Sequence, residues 1–403
     1  MSHRIVLFFN EIPPSSTPVW GGYLVFRRLL AEHDPTELIV LCSKPALSRI
    51  PEDGLLPSVR HIVHLRTDSS GRWGLSRLKC ICDWSMLPFL VMRACVIILA
   101  DKVEVIVTVA QDYFFISAIL AGLLTRRPTV LFVHDNWMVW KRKLLGPLTP
   151  NVFRWALRNA TMVSVISEPM ARLVREISGV TATVQLPFTD IPTRQTSKIT
   201  AAMPFFTIAY SGTLHSAVND ILVVMMSLVL GQDSLNLPCE LRLLCATPES
   251  PQTLMPQAAN DPRIKHAGWL PHDQVQELLA GSDALLLPFS FSEKEHAVTS
   301  TAFPSKAADY LAAKVPIIVV APVDSTVARY MKEKGCALCV TTPDPSALAA
   351  AVRRLMESNE ERERLAQSGW RAFLENHETK AARQKFYSDL ETAFQARTRF
   401  QGL

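Results

Sequence analysis

Apolar residues fall in short continuous blocks along this chain. Residues 4–9, 38–42, 103–107, 129–133 and 162–166 are rich in Val, Ile, Leu and Phe, and stretches of helical periodicity such as 23–31 separate them. Blocks of this length bounded by polar turns predict strands, and unbroken apolar runs predict strands of a parallel sheet covered by helices on both faces. The rhythm stops between 186 and 204, where Pro187, Pro192, Thr193, Thr196, Ser197 and Pro204 replace it. It restarts with 206–210, 241–245, 263–266, 284–287, 317–320 and 337–340. The expectation is an α/β chain of two tandem Rossmann-like domains whose parallel sheets face one cleft. Residues 1–187 form the first domain, 188–204 a linker, and 205–375 the second. Residues 376–403 form a C-terminal helix, a candidate to pack back on the first domain, since Phe386, Leu390 and Phe394 recur at helical spacing.

Composition agrees with a large buried core: of 403 residues, 48% are hydrophobic and 20% charged. The net charge of +5 is uneven. Residues 1–190 hold 21 Lys and Arg against 15 Asp and Glu, and the rest hold 21 against 22. A basic first domain suits phosphorylated acceptors or an anionic membrane, whereas a nucleic-acid binder carries denser clusters, so no nucleic acid is expected. The apolar run 5–9 reads as a first strand and not as a targeting segment. Residues 86–100 fall short of the roughly 20 needed to span a bilayer, and Arg93 interrupts them. Eight cysteines without a secretory signal imply free thiols in a reducing, cytoplasmic compartment. Cys80 with Cys82 and Cys336 with Cys339 could supply four thiolates, but the pairs lie in different halves and residues 336–340 read as a buried strand, so no metal site is expected.

Candidate chemistry sits in the loops that follow strands, because ligands of such sheets bind at the carboxyl ends. The first loop, 10–22, ends in Gly21 and Gly22 before a helix, where backbone N–H groups can approach an anion. The strand 129–133 ends in His134, which can hydrogen-bond a reacting hydroxyl or phosphate. In the second half, the strand 206–210 leads into Gly212 and Thr213. Farther on, Pro304, Ser305 and Lys306 open a helix that carries Asp309, so Ser305, free N–H groups and Lys306 can hold a phosphate while Asp309 accepts from ribose hydroxyls. No Gly-x-Gly-x-x-Gly fingerprint occurs.

At these residues the sequence resembles the family-four retaining glycosyltransferases, whose fold is called GT-B. The resemblance spans nearly the whole chain and is strongest in "IKHAGWLPHDQVQELLAGSDALLLPF" and "FPSKAADYLAAKVPIIV". Weaker matches are Trp20-Gly21-Gly22, "FVHDN", "ATMVSVISEPM" and "IAYSGTL". It implies transfer of a sugar from a nucleotide diphosphate donor to an acceptor, with retention, in polysaccharide or glycoconjugate biosynthesis. It also implies that Gly21 and Gly22 lie near the donor diphosphate, that His134 contacts the transferring sugar as the catalytic residue, that Ser305 and Lys306 meet the diphosphate, and that Asp309 binds the ribose. The chain departs from the family pattern at Thr301 and Asp309, where two glutamates are common, and at Thr213, where an arginine is common. No lysine occurs between Gly212 and Gly231. Gly212, Thr213 and Thr301 remain in the candidate donor site by position.

With no Asp-x-Asp motif, a metal-independent reaction is expected, in which Lys306 and helix N–H groups stabilise the leaving group and no cofactor beyond the nucleotide sugar is needed. Two rivals stay open: a sugar-nucleotide epimerase on the same fold, and a non-catalytic nucleotide-sugar-binding component of an assembly complex. Segment 72–93 mixes Arg72, Arg77, Lys79 and Arg93 with Trp73, Trp84, Phe89 and other apolar residues. It reads either as an interfacial helix, which would place a lipid-linked acceptor on the cytoplasmic face of a membrane, or as a helix packed beneath the first sheet.

Overall fold

A computed structural model of the chain describes residues 4–15, 21–64, 85–111, 113–137, 148–192, 205–231, 237–244, 254–268 and 270–401. Residues 16–20 of the first loop, 72–84 of the basic segment, the Cys80 and Cys82 pair, and residues 193–204 of the expected linker lie outside the described residues. Two compact units are present: residues 1–186 with 380–403, and residues 187–379.

The first unit is a seven-stranded sheet. In chain order its strands are β1 (Val6–Phe9), β2 (Leu38–Ser43), β3 (Arg60–His64), β4 (Val105–Val109), β5 (Thr129–Val133), β6 (Met162–Val165) and β7 (Thr183–Val184). They lie in the order β3-β2-β1-β4-β5-β6-β7, and all pairings are parallel. The order reverses between β1 and β4, whose register sets Val6 against Val105. Helices α1 (Gly21–Leu30), α2 (Leu87–Ala100), α3 (Phe114–Thr125), α4 (Thr149–Asn159) and α5 (Glu168–Ser178) link the strands. The central strands β1, β2, β4 and β5 are buried at every position, in keeping with their continuous apolar runs. β3 and β7 escape the apolar pattern because Arg60, His61 and His64 interrupt β3, which is mostly half-buried, and β7 is only two half-buried residues long.

The second unit has a six-stranded parallel sheet. Its strands are β8 (Phe206–Ser211), β9 (Cys239–Leu244), β10 (Ile264–His266), β11 (Ala284–Pro288), β12 (Ile317–Val320) and β13 (Ala337–Val340), in the order β10-β9-β8-β11-β12-β13. The reversal falls between β8 and β11. Its helices are α6 (Ser216–Leu230), α7 (His272–Ala280), α8 (Lys306–Ala312), α9 (Thr326–Glu333), α10 (Pro345–Glu357) and α11 (Asn359–Asn376). The core joins α6 and α10 to the sheet through Leu222, Met225, Leu241, Leu286, Ile318 and Val352.

The chain enters and leaves this unit at one clasp. Thr189 forms a parallel bridge with Glu378, and the Thr189 N–H donates to the His377 carbonyl at 2.9 Å. The His377 ring is fully buried. Its Nδ1 lies 2.5 Å from the Pro187 carbonyl oxygen and its Nε2 2.8 Å from Tyr330 Oη. Burial, more than any charge, pushes this imidazole down to about 4, so it is neutral, donating through Nδ1 and accepting through Nε2. The last helix, α12 (Thr379–Gln401), returns to the first unit. There Phe386 and Leu390 are buried, Tyr387 Oη lies 3.1 Å from His33 Nδ1, and the Arg4 guanidinium donates to both Glu391 carboxylate oxygens.

Candidate active site

The turn after β8 and the start of α8 meet at the switch point of the second sheet. Tyr210 is the penultimate residue of β8, and its ring is fully buried. Its hydroxyl donates to the Thr213 carbonyl at 2.8 Å and accepts from Lys306 Nζ at 2.9 Å. The Lys306 ammonium also lies 4.2 Å from the Tyr210 ring centroid, where the ring's quadrupole favours a cation. Gly212 makes room for it. A Cβ at Gly212 would stand 2.5 Å from Lys306 Nζ, and the backbone there has a φ of +134°, which side chains rarely adopt. On α8, Tyr310 Oη accepts from the Ser211 N–H at 2.8 Å and ties the helix to the strand end. His215, the residue before α6, accepts from the Ala217 N–H through Nδ1, which leaves Nε2 as the protonated nitrogen. Desolvation, and after it the Lys306 charge, hold this imidazole below the usual histidine range.

One turn into α8, Asp309 Oδ1 is buried without a hydrogen-bond partner, and His272 Nε2 on α7 lies 3.9 Å away. A buried carboxylate oxygen in that state calls for a donor, and a ligand hydroxyl can supply one. Ser305 precedes the helix and is exposed, but its hydroxyl makes no cap hydrogen bond. The N–H groups of Ala307 and Ala308 already bond to the Pro304 and Ser305 carbonyls. These two amides are therefore engaged within the first turn. Thr301 is turned inward, donating to the Ala297 carbonyl at 2.9 Å. Thr213 is exposed beside Gly212.

In the first unit, Gly21 and Gly22 open α1. His134 follows β5 and stacks on Phe26 of α1, with centroids 5.4 Å apart and planes 8° from parallel. Desolvation pushes His134 down to about 4, though part of its surface remains open to solvent. It is a neutral hydrogen-bonding group and not a cation.

Two family models match the chain: "Glycosyl transferase 4-like domain" over residues 25–188 and "Glycosyl transferases group 1" over residues 247–371. Together they span most of both sheets. The chain is a GT-B glycosyltransferase. No curated protein matches this glycosyltransferase in sequence. Among solved structures, it is similar to Anabaena HepE in complex with UDP, at 13% identity, 96% coverage of this chain, 99% of that one and a TM-score of 0.69. It is also similar to a glycosyltransferase from Rickettsia africae, at 12% identity, 97% and 99% coverage and a TM-score of 0.67. A UDP-N-acetylglucosamine 2-epimerase of Listeria monocytogenes shares the fold more loosely, at 12% identity, 91% and 92% coverage and a TM-score of 0.53. At these identities the likeness shows the fold alone.

The sequence had marked Gly212, Lys306 and Asp309 of this glycosyltransferase separately, and the fold brings Gly212 and Lys306 into contact. It had not marked Tyr210, His215, His272 or Tyr310 as part of a site. A tyrosine at the end of an apolar strand and another inside a helix carry no polar pattern, and only the bonds they make around Gly212 identify them. His215 carried a usable signal, since it lies three residues after Gly212 and directly before a helix.

Proposed function

We propose that the glycosyltransferase takes its donor as a nucleotide diphosphate sugar in the second unit, with the diphosphate at Lys306 and Ser305 beside Gly212 and Thr213, and the ribose at Asp309. The observation that carries this reading is an ammonium and an unpartnered carboxylate oxygen one turn apart on α8, at the switch point of the sheet. That UDP occupies Anabaena HepE makes uridine donors the first to test. As the bond between the anomeric carbon and the phosphate oxygen breaks, its electron pair leaves on the diphosphate, and Lys306 stabilises that charge without a metal ion. The acceptor hydroxyl oxygen forms the new bond to the same carbon, and its proton passes to the departing phosphate oxygen that has taken the electron pair. His134, neutral at working pH, hydrogen-bonds the transferring sugar, and Gly21 and Gly22 lie near the diphosphate. Retention of configuration, a role in polysaccharide or glycoconjugate assembly, and a lipid-linked acceptor at the cytoplasmic face of a membrane complete the proposal.

Binding of UDP and UDP-glucose by calorimetry tests the site. Lys306→Ala should weaken nucleotide diphosphate binding by about 1.5–3 kcal/mol, the range for a hydrogen bond to a charged group. Asp309→Ala should weaken it as well, with thermal stability unchanged in both variants. Unaltered affinity in the two variants would falsify the assignment. Turnover should persist in excess EDTA, and loss there with recovery on adding magnesium or manganese overturns the metal-free mechanism. Incubation with a nucleotide sugar alone separates transfer from epimerisation, because epimerisation needs no acceptor.

A further inference from the structure

Helix α2 has no polar face. From Leu87 to Ala100 its one charged residue is Arg93, and a helix apolar all round is ordinarily covered all round. Here one side is covered: Leu90, Val91, Ala94, Ile97 and Ile98 pack against Leu7 and Phe9 of β1, Ile39 and Leu41 of β2, and Phe114 and Ala118 of α3. This is the packing beneath the sheet that the sequence allowed, but it accounts for only half of the helix. On the other side Phe89, Met92, Val96 and Leu99 are 58% to 62% exposed. Their spacing of three, four and three residues places them in one stripe along the helix. Leu124, near the end of the neighbouring helix α3, is 69% exposed as well.

The edge of this surface is basic. Helices α2 and α3 each lead back to a parallel strand of one sheet and share one core cluster, so they run in the same direction with their C-terminal ends on the same side. Lys102 follows α2 and Arg126 follows α3, both exposed. The nearby acids are engaged: Asp101 pairs with Arg60 at 2.6 Å and Glu104 with Arg4 at 3.0 Å. Arg93, beside the stripe, donates to the Val63 carbonyl at 2.6 Å.

We infer that this face of the first unit docks on an anionic lipid bilayer, with the α2 stripe among the upper acyl chains and Lys102 and Arg126 at the headgroups. A protein partner of similar area would exchange about one hydrogen bond per 100–200 Å², and the side chains of the stripe offer none. Acyl chains require none, and anionic headgroups complement the basic edge. The inference deepens the proposed lipid-linked acceptor by naming the surface that brings the enzyme to it. It rests on the exposed side of α2 and not on the donor site.

The full chain is sedimented with phosphatidylcholine vesicles, with and without phosphatidylglycerol. Binding should require the anionic lipid at low salt and weaken as salt is raised. The double variant Phe89→Gln with Val96→Gln should lose at least about tenfold in partitioning, since each side chain forfeits much of its transfer free energy. Its thermal midpoint and UDP binding should match the wild type. Lys102→Gln with Arg126→Gln should lose about fivefold per cation on anionic vesicles. Failure of the wild type to sediment at low salt, or full binding by the apolar double variant, overturns the inference. So does a lowered thermal midpoint in that variant, which would mean that the chain's own residues 65–84 cover the stripe, or a wild-type dimer that the variant abolishes. A chain that binds vesicles but no nucleotide leaves this surface standing and removes the proposed donor site instead.

Discussion

Gly212 and Lys306 occupy one space, which makes a glycine substitution act like a lysine substitution. In Gly212→Ala the new Cβ would meet Lys306 Nζ at 2.5 Å, so the lysine must swing away from Tyr210, and the backbone at φ +134° is strained as well. Nucleotide affinity should fall about as far as in Lys306→Ala, on the order of 1.5–3 kcal/mol. A Gly212→Ala enzyme with wild-type UDP affinity would show that the lysine is not held there. His377 governs a different property. A histidine held at about 4 in the fold and near 6.5 in the unfolded chain binds fewer protons when native across that window. The stability it contributes is complete above about 6.5 and is lost as pH falls toward 4. Between pH 7.5 and 5 the loss is on the order of 2 kcal/mol for this one group. His377→Gln, which cannot titrate, should flatten the dependence in urea unfolding measured at the two pH values. An unchanged difference would remove His377 as its source.

Two serines before helices look alike in sequence and do different work. Ser325 is fully buried, and its hydroxyl accepts from the Ala328 N–H at 3.2 Å, which caps α9. Ser305 stands before α8 with its hydroxyl uncommitted to any cap. Ser325→Ala should therefore cost about 0.5–2 kcal/mol in stability with donor affinity unchanged. Ser305→Ala should leave the melting temperature unchanged and weaken UDP binding. Equal melting shifts in the two variants would show that Ser305 is a cap and not a ligand. The contrast follows from backbone geometry: Ser325 is extended, with φ −62° and ψ 145°, whereas Ser305 is already helical, with φ −56° and ψ −35°, and a helical residue cannot turn its own hydroxyl onto the first turn.

The first unit is completed by residues that lie at the far end of the chain. Phe386 packs on Phe132 with centroids 6.0 Å apart, and Leu390 is wholly buried. Deleting residues 380–403 removes these side chains together with the Tyr387 and Glu391 hydrogen bonds. At about 1.5–3 kcal/mol for each large apolar residue, the loss is comparable with the whole stability of an ordinary domain, about 5–15 kcal/mol. The truncated chain should lose protease resistance in its first unit while a fragment of the second survives. A first unit that resists digestion as well as the full-length chain does would contradict this account. Among the described residues no helix is long and apolar enough to cross a membrane.

The sequence by itself determined the α/β class, the parallel sheets and the central strands, because burial on both faces writes an uninterrupted apolar run at each of them, as at 129–133 and 317–320. It also set Gly212, Ser305, Lys306 and Asp309 apart as candidate chemistry, since glycine turns and polar residues after buried strands are local features. Strands β3 and β7 were not legible, because Arg60, His61 and His64 break the apolar run of β3 and β7 is too short to write one. Only the tertiary structure decided that Lys306 rests on Gly212 and Tyr210, that the Ala307 and Ala308 amides are spent within their own turn, and that α2 buries one apolar side and exposes the other. Periodicity reports how apolar a helix is. Which side finds a partner depends on neighbours such as β1, β2 and α3, and those are set by how the sheet is assembled and not by any local run of residues.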